Sequence, residues 1–251
     1  MKKAIPVTIV LIAMLVRAMP VVAADIEASL GIKLWSNTWK ETISPAEGGS
    51  QTINNGRAAM VGPTLEARFW KNWFAGITYL RALDDYESSN WYADDDKMVL
   101  ERRDMDLLAG YLVRDQLNAF NAGFFLAYKT VDAPASYTNQ AAGLTDVGIG
   151  RWTLKGPGLG VLAEKRLDAT TVLNGSITYL TLEQEFSFYS GGASRFDSNG
   201  WAFEAAVAHA FTRSISANVG MKYQWVKGQK LNGDTVKDTF SGLTGGIAYT
   251  F

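Results

Sequence analysis

The sequence predicts an all-β chain, an up-and-down antiparallel transmembrane β-barrel of ten strands, and three observations carry that prediction. Apolar and polar side chains alternate along most of the chain, the period of a strand with two unlike faces. The connections between alternating segments are by turns long and very short, the rhythm of hairpins closing into a barrel. Aromatic residues gather near the ends of the segments, where amphipathic rings meet a lipid–water boundary. Eight or twelve strands are the alternatives that the same rhythm allows.

Taken in order, the expected strands run over 26–40, 58–70, 73–86, 97–113, 117–131, 153–166, 170–184, 200–212, 215–228 and 239–251. The short connections are Trp70-Lys71-Asn72, Arg114-Asp115-Gln116, Leu167-Asp168-Ala169 and Thr212-Arg213-Ser214, polar and tight, and are expected as periplasmic turns. The long ones, near 41–57, 87–96, 132–152, 185–199 and 229–238, are rich in Gly, Ser, Asn and Asp and are expected as exposed outer loops.

The last strand shows the two faces plainly. Leu243, Gly245, Ile247, Tyr249 and Phe251 alternate with Gly242, Thr244, Gly246, Ala248 and Thr250. The preceding one sets Ile215, Ala217, Val219, Met221, Tyr223 and Trp225 against Ser216, Asn218, Gly220, Lys222 and Gln224, and the strand over 170–184 sets Leu173, Ile177 and Tyr179 against Asn174, Ser176 and Thr178. A soluble barrel turns its greasy face inward, so alternation alone does not choose between the two. The aromatics decide it: Trp70, Trp73, Phe211, Tyr249 and Phe251 make one expected belt, and Trp39, Trp91, Trp152 and Trp201 the other.

The first residues read as an export signal. Met1, Lys2 and Lys3 precede an apolar run from Ala4 to Val16, and Val22, Ala23 and Ala24 supply small residues for cleavage after Ala24. Arg17 and Pro20 follow a run too short to span a bilayer. Residues 1–24 are therefore expected to be removed, leaving 25–251 as one barrel domain in the bacterial outer membrane. The chain has no Cys, which removes a lipid anchor at the cleavage site, disulfides and thiolate chemistry together.

Without Lys2, Lys3 and Arg17, 21 basic residues face 25 acidic ones, a net charge of −4, and nucleic acid is excluded as a partner. Carried through the barrel, the same parity turns Lys33, Glu66, Arg68, Arg102, Asp104, Asp106, Lys129, Glu164, Arg166, Glu204 and Lys222 inward. Each of these on the lipid face would cost about 2–4 kcal/mol near the midplane. Six basic and five acidic groups in so narrow a lumen imply paired side chains that fill much of the interior and leave no wide aqueous pore. Glu101 and Arg103 fall on the other face and are expected above the lipid.

The terminal GGIAYTF, with Ile247, Tyr249 and Phe251 at alternate positions, resembles the C-terminal signature of bacterial outer-membrane β-barrels, of which the small OmpA/Opc-like proteins are examples. That resemblance implies recognition of the last strand by the barrel assembly machinery, and a setting among outer-membrane lipid and lipopolysaccharide.

Catalytic candidates are few. Among outer-membrane barrels the omptin proteases use a His with carboxylates near the outer rim, and the lipid A deacylases a His beside a Ser. This chain has a single His, His209, in AAVAHAF beside a periplasmic turn, on the lipid-facing parity of Val207 and Phe211. An interfacial ring accounts for it, and no enzyme is expected. Asp84, Asp85 and Glu87 precede the run Asp94, Asp95, Asp96, oxygen ligands of the kind a divalent cation takes. The run lacks the Gly and terminal Glu of a calcium loop, and a solvated acidic loop is the reading favoured. GPGLG at 156–160 lies on a strand, without phosphate-loop context, and reads as small residues of the barrel wall. The segment EFSFYSGGASRF, with Phe186 and Phe188, is either an aromatic patch on an outer loop or the continuation of two strands. No cofactor is expected. The function expected is structural or recognition by the outer loops for an extracellular ligand, with a narrow porin-like passage as the alternative and hydrolysis behind both.

Overall fold

The computed structural model describes residues 26–70, 72–89, 96–115, 119–139, 143–230 and 232–251; the expected signal with its cleavage point at Ala24, and Trp91, Asp94 and Asp95, lie outside them. Twelve strand segments are present among the described residues, β1 (Ile26–Ser44), β2 (Gln51–Phe69), β3 (Trp73–Ala82), β4 (Tyr86–Ser89), β5 (Asp96–Leu100), β6 (Arg103–Asp115), β7 (Phe120–Asn139), β8 (Leu144–Arg166), β9 (Thr171–Phe188), β10 (Ala193–Ala210), β11 (Ile215–Gln229) and β12 (Thr235–Thr250). β5 and β6 both pair with β7, so they are one broken stave, and β3 continues past a break at 83–85 as β4, paired with β5. Neighbours pair antiparallel all the way round, and β1 closes on β12 from Ser29 opposite Thr250 to Ser44 opposite Thr235. The result is a closed barrel of ten staves, as the alternation predicts.

The parity of the last strands holds along the outside. Val219, Met221, Leu243, Ile247 and Phe251 are each at least 60 % exposed, a greasy outer surface of the kind that faces lipid in membrane barrels. A rim of outward rings, Tyr79, Tyr128, Tyr179, Trp201 and Tyr223, bounds this band toward the long hairpins. One or two outward positions beyond it the chain turns ionic, with Arg81 near Glu101, Arg151 bonded to Asp132, and Lys155 near Glu183. Glu101 and Arg103, 3.4 Å apart, lie in this zone as expected.

The long outer loops are a correction. β1 runs to Ser44 and β2 begins at Gln51; β7 reaches Asn139 before β8 opens at Leu144; β9 and β10 are separated by four residues, and β12 begins at Thr235. Most of 41–57, 132–152, 185–199 and 229–238 is therefore strand. An 18-residue strand such as β9 rises about 40 Å along the axis at a tilt of about 45°, against an apolar band about 25 Å tall. The excess projects as paired sheet, and its Ser, Thr and Asn content reflects water on the outside of that sheet, not the absence of strands. The tips carry left-handed glycines, Gly48 and Gly49 at φ 104° and 84° and Gly191 and Gly192 at 101° and 90°.

The short turns at Leu167-Asp168-Ala169 and Thr212-Arg213-Ser214 fall where expected, at the end that also holds Ile26 and Phe251, whereas β6 runs on to Asp115, and Lys71 and Gln116 of the other two lie outside the described residues. In one of them Asp168 Oδ1 accepts the backbone N–H groups of Thr170 at 2.7 Å and Thr171 at 2.8 Å and the Thr170 hydroxyl at 2.9 Å. These donors hold its carboxyl down at about 2.

Candidate functional site

The inward face decides what the barrel can do, and it divides into three levels along the axis. In the middle, β6 presents Asp104 and Asp106 to the lumen two residues apart, and β7 sets Lys129 directly across from Asp106. Lys129 Nζ reaches Asp106 at 2.8 Å and Asp104 at 3.3 Å, while Lys222, from β11 on the opposite wall, donates to the second oxygen of Asp106 at 3.2 Å. Arg102, in the break before β6, forks onto Asp104 with two bonds of 2.7 Å. Lys33 donates to Glu204 at 2.5 Å just beneath. Arg102 is completely buried, and Asp104, Lys129 and Lys222 nearly so. Removing charges from water to this extent requires the geometry seen here, in which each carboxylate meets one or more cations.

The Arg102 guanidinium also lies 3.9 Å from the centre of the Phe240 ring, 5.3 Å from Trp35 and 6.0 Å from both Trp39 and Tyr86, and Lys222 Nζ lies 4.9 Å from Trp35. Desolvated cations over ring faces are stabilised by the ring quadrupole. Tyr86 donates its hydroxyl to Asn37 Oδ1 at 2.7 Å, tying β4 to β1 across the lumen. Ion pairs and rings together crowd this level of the lumen.

Toward the hairpin end this seal becomes a floor. Trp39 packs 4.9 Å from Trp152 and 5.3 Å from Phe240, and its Nε1–H donates to Asp238 Oδ1 at 2.9 Å. Gln184 donates to the other Asp238 oxygen at 2.8 Å and accepts from Ser198 at 3.0 Å. Above the floor lies a pocket of about 280 Å³, walled by Met98, Leu100, Phe186 and Phe196 with Glu41 and Lys230 at its polar edge. Beside it, burial first and then the Glu101 and Glu87 carboxylates push the Asp85 carboxyl up.

The turn-end half is a vestibule of about 870 Å³. Arg68 donates to Glu164 at 2.7 Å and Asn121 to the same carboxylate at 3.1 Å. Glu66 and Arg166 line this space with no ion partner within 4.0 Å among the described residues. His209 sits exposed at its mouth, Nδ1 3.1 Å from Thr171 Oγ1 and its ring 5.0 Å from Phe211.

Of the eleven inward charges read from the sequence, seven, Lys33, Arg102, Asp104, Asp106, Lys129, Glu204 and Lys222, form the central group, Arg68 and Glu164 form a separate pair, and Glu66 and Arg166 face the vestibule. The interior is thus filled in its middle and not throughout. Trp39 and Trp152, expected in the outer belt, are turned inward and nearly buried, which is a correction. The physical reason is parity: steps of two from the inward Lys33 lead through Trp35 and Asn37 to Trp39. Trp35, Tyr86, Phe240, Gln184 and Asp238 were not foreseen as lumen residues. The same count of two would have found Trp35, whereas Asp238 lay in a segment read as loop. Phe186 is on β9 and faces the pocket, so EFSFYSGGASRF is two strands and a short tip. Among the described residues no group of three His, Asp or Glu is placed to hold a metal; Asp96 enters only as the first position of β5.

No family model and no curated protein sequence matches the chain. Among solved structures, the outer membrane protease OmpT of Escherichia coli is 15 % identical, with 92 % of this chain and 98 % of that chain covered and a TM-score of 0.60. Neisserial surface protein A is 13 % identical over 88 % and 97 %, with a TM-score of 0.38, and a Pseudomonas aeruginosa FadL homologue 9 % identical over 91 % and 90 %, with a TM-score of 0.37. The likeness to the Escherichia coli structure shows the fold and does not single out the small OmpA/Opc-like group. On the strength of the ring of ten paired staves, its greasy outer band and the likeness to the Escherichia coli structure, the chain has the fold of the bacterial outer-membrane β-barrels.

Proposed function

We propose that this chain is an exported outer-membrane protein whose lumen is blocked and whose role is recognition at the hairpin end. One observation carries the reading: at mid-height the barrel holds a fully buried Arg102 forked onto Asp104 and enclosed by Phe240, Trp35, Trp39 and Tyr86, a level with no room for a hydrated ion. A barrel that does not conduct can still display its projecting hairpins. The outward cations Arg81, Lys155 and Lys237 lie just beyond the ring of aromatics, at the height of lipopolysaccharide phosphates, which makes that lipid a fitting partner. Ile247, Tyr249 and Phe251 serve as the strand that the assembly machinery engages.

The Escherichia coli neighbour is a protease by name, but at its level of identity only the fold transfers. Against hydrolysis here stands the position of the sole His, His209, at the turn end with a threonine hydroxyl as its hydrogen-bond partner. A gated passage is the second reading, favoured by open spaces on both sides of one seal. Single-channel recording of refolded protein in a planar bilayer separates the two. Wild type is expected to be silent, and Arg102→Ala or Asp104→Ala to give discrete openings. Steady conductance from the wild type, altered by either substitution, would replace the blocked reading with a passage.

A further inference from the structure

The hairpin-end pocket has a shape and a chemistry that the seal beneath it does not require. We infer that it binds a compact aromatic molecule of about two fused rings, uncharged and carrying at most one polar substituent. This deepens the recognition reading and rests on the hairpin end being the exposed end.

Size sets the first limit. At about 280 Å³ the pocket is roughly twice the volume of a cavity of about 150 Å³ that takes up one benzene. The floor sets the second. Trp39 and Trp152 form it, and the polar atoms near them are already committed: the Trp39 N–H and the Gln184 amide both donate to Asp238, and the Gln184 carbonyl accepts from Ser198. With Asp238 and Gln184 taken up in this way, a ligand that needed several hydrogen bonds at depth would find few partners and would lose its hydration on entry, so strongly polar and ionic molecules are disfavoured there. The floor and walls offer ring faces, ring edges and the soft side chains of Met98 and Leu100, the surfaces against which another aromatic packs offset or edge-on.

The rim sets the third limit. Glu41 and Lys230 bring opposite charges to the polar edge, so the edge carries no net charge to favour an ion of either sign, while a hydroxyl or similar group can lie there. Below the floor, Phe240 and Arg102 close the way to the vestibule, so an occupant is retained and not passed on. Apolar side chains that line an open pocket at the mouth of a barrel are what a ligand site leaves exposed.

The test is calorimetric titration of 2-naphthol into full-length mature protein in lipid nanodiscs, with empty nanodiscs giving the lipid partition to be subtracted. Detergent is avoided because its alkyl chains compete for the pocket. A single saturable site is expected. Ser194→Trp, which places an indole in the pocket from the hairpin-end part of β10, is expected to weaken binding at least tenfold. Phe196→Ala, which widens the pocket and leaves the strand pairing intact, is expected to shift preference at least fivefold toward 9-phenanthrol. Heat-modifiable gel migration verifies that each variant is folded.

No saturable heat above empty nanodiscs overturns the inference, as does undiminished affinity in folded Ser194→Trp, or tighter binding of decanol than of 2-naphthol. The readout needs no ion flow, so the two readings fail separately. A conducting wild type that still binds 2-naphthol refutes the seal alone, and a silent one that binds nothing refutes the pocket alone.

Discussion

Replacing Arg102 by Ala removes the one cation that is fully buried in the seal, and the consequences can be worked from its contacts. Asp104 would lose two bonds of 2.7 Å and keep Lys129 at 3.3 Å, in a site where it is 2 % exposed. Breaking one side of a buried ion pair costs about 3–5 kcal/mol, because the remaining charge is left without its counter-charge. The guanidinium also leaves Phe240, whose ring centre is 3.9 Å away, so the upper part of that range is expected. Asp104→Leu strands the guanidinium in turn and is expected to cost a similar amount. The double variant Arg102→Met with Asp104→Leu removes both charges and fills much of their volume. Its loss is expected to be about 2 kcal/mol or less, so the two sites couple by several kcal/mol. Urea unfolding in phospholipid vesicles, followed by tryptophan fluorescence and analysed at constant slope, measures all four corners of the cycle. Additive single losses, or a loss below about 1 kcal/mol for Arg102→Ala, would refute the claim that this pair bears the seal.

Four further outcomes follow from the same coordinates. Val219→Arg, at a position 64 % exposed in the middle of the outer band, is expected to cost about 2–4 kcal/mol in vesicles, and a neutral result in the same unfolding assay would mean that lipid does not cover this face. Deleting Phe251 removes both a ring 5.0 Å from Tyr249 and the backbone N–H that donates to the Ala28 carbonyl at 2.9 Å across the closing seam; outer-membrane levels, read by fractionation, are expected to fall. Asp168→Ala deletes a carboxylate whose folded value, about 2, lies below its ordinary one of 3.8, so its contribution is complete above the ordinary value and disappears as pH falls through about 2. Unfolding midpoints of the two proteins are expected to differ at pH 6 and to converge near pH 2. His209→Ala is expected to change stability by no more than about 0.5 kcal/mol and to leave any hydrolysis assayed on purified protein unchanged; a folded but inactive variant would restore the enzyme reading.

The outer face was legible because one rule governs it. Leu243, Ile247, Tyr249 and Phe251 lie on one outward face at even spacing, and an ion at those positions would be costly against lipid. The inward charges were legible for the complementary reason, since Asp104, Asp106, Lys129 and Lys222 could not face lipid. Two features escaped because two rules competed. Aromatics at strand ends suit a lipid boundary, but Trp39 and Trp152 also fit a barrel interior, and periodicity outranks residue preference once Lys33 fixes the phase. Gly, Ser and Asn mark loops in a soluble protein, but the water-facing side of a projecting sheet has the same composition. The true tips did carry a sharper signal, the pairs Gly48-Gly49 and Gly191-Gly192 and the Asn232-Gly233 step, where left-handed backbone is required to reverse a hairpin. Which charges pair across the lumen, as Lys222 does with Asp106 from the opposite wall, depends on closure and has no local trace in the chain.

The distribution of inward side-chain size bears on what the barrel is built to do. At the turn end β12 sends in Gly246, Ala248 and Thr250 and β10 sends in Ala206 and Ala208, and the space they leave is the vestibule. Farther along β12 come Phe240 and Asp238, and on the neighbouring β11 Gln224 and Val226, all buried. Gly160 on β8 yields its side-chain volume to the ring of Phe125. A conduit built from ten staves needs small inward residues along their whole length. Here Phe74, Leu108, Leu112 and Phe125 narrow the vestibule from one side, while in the middle and the hairpin half large residues build a floor, commit Trp39, Gln184 and Asp238 to one another and leave an aromatic pocket above. The inward side chains of β11 and β12 therefore place the specific chemistry on the side of the floor that faces away from Ile26 and Phe251, and that is where a ligand should be sought.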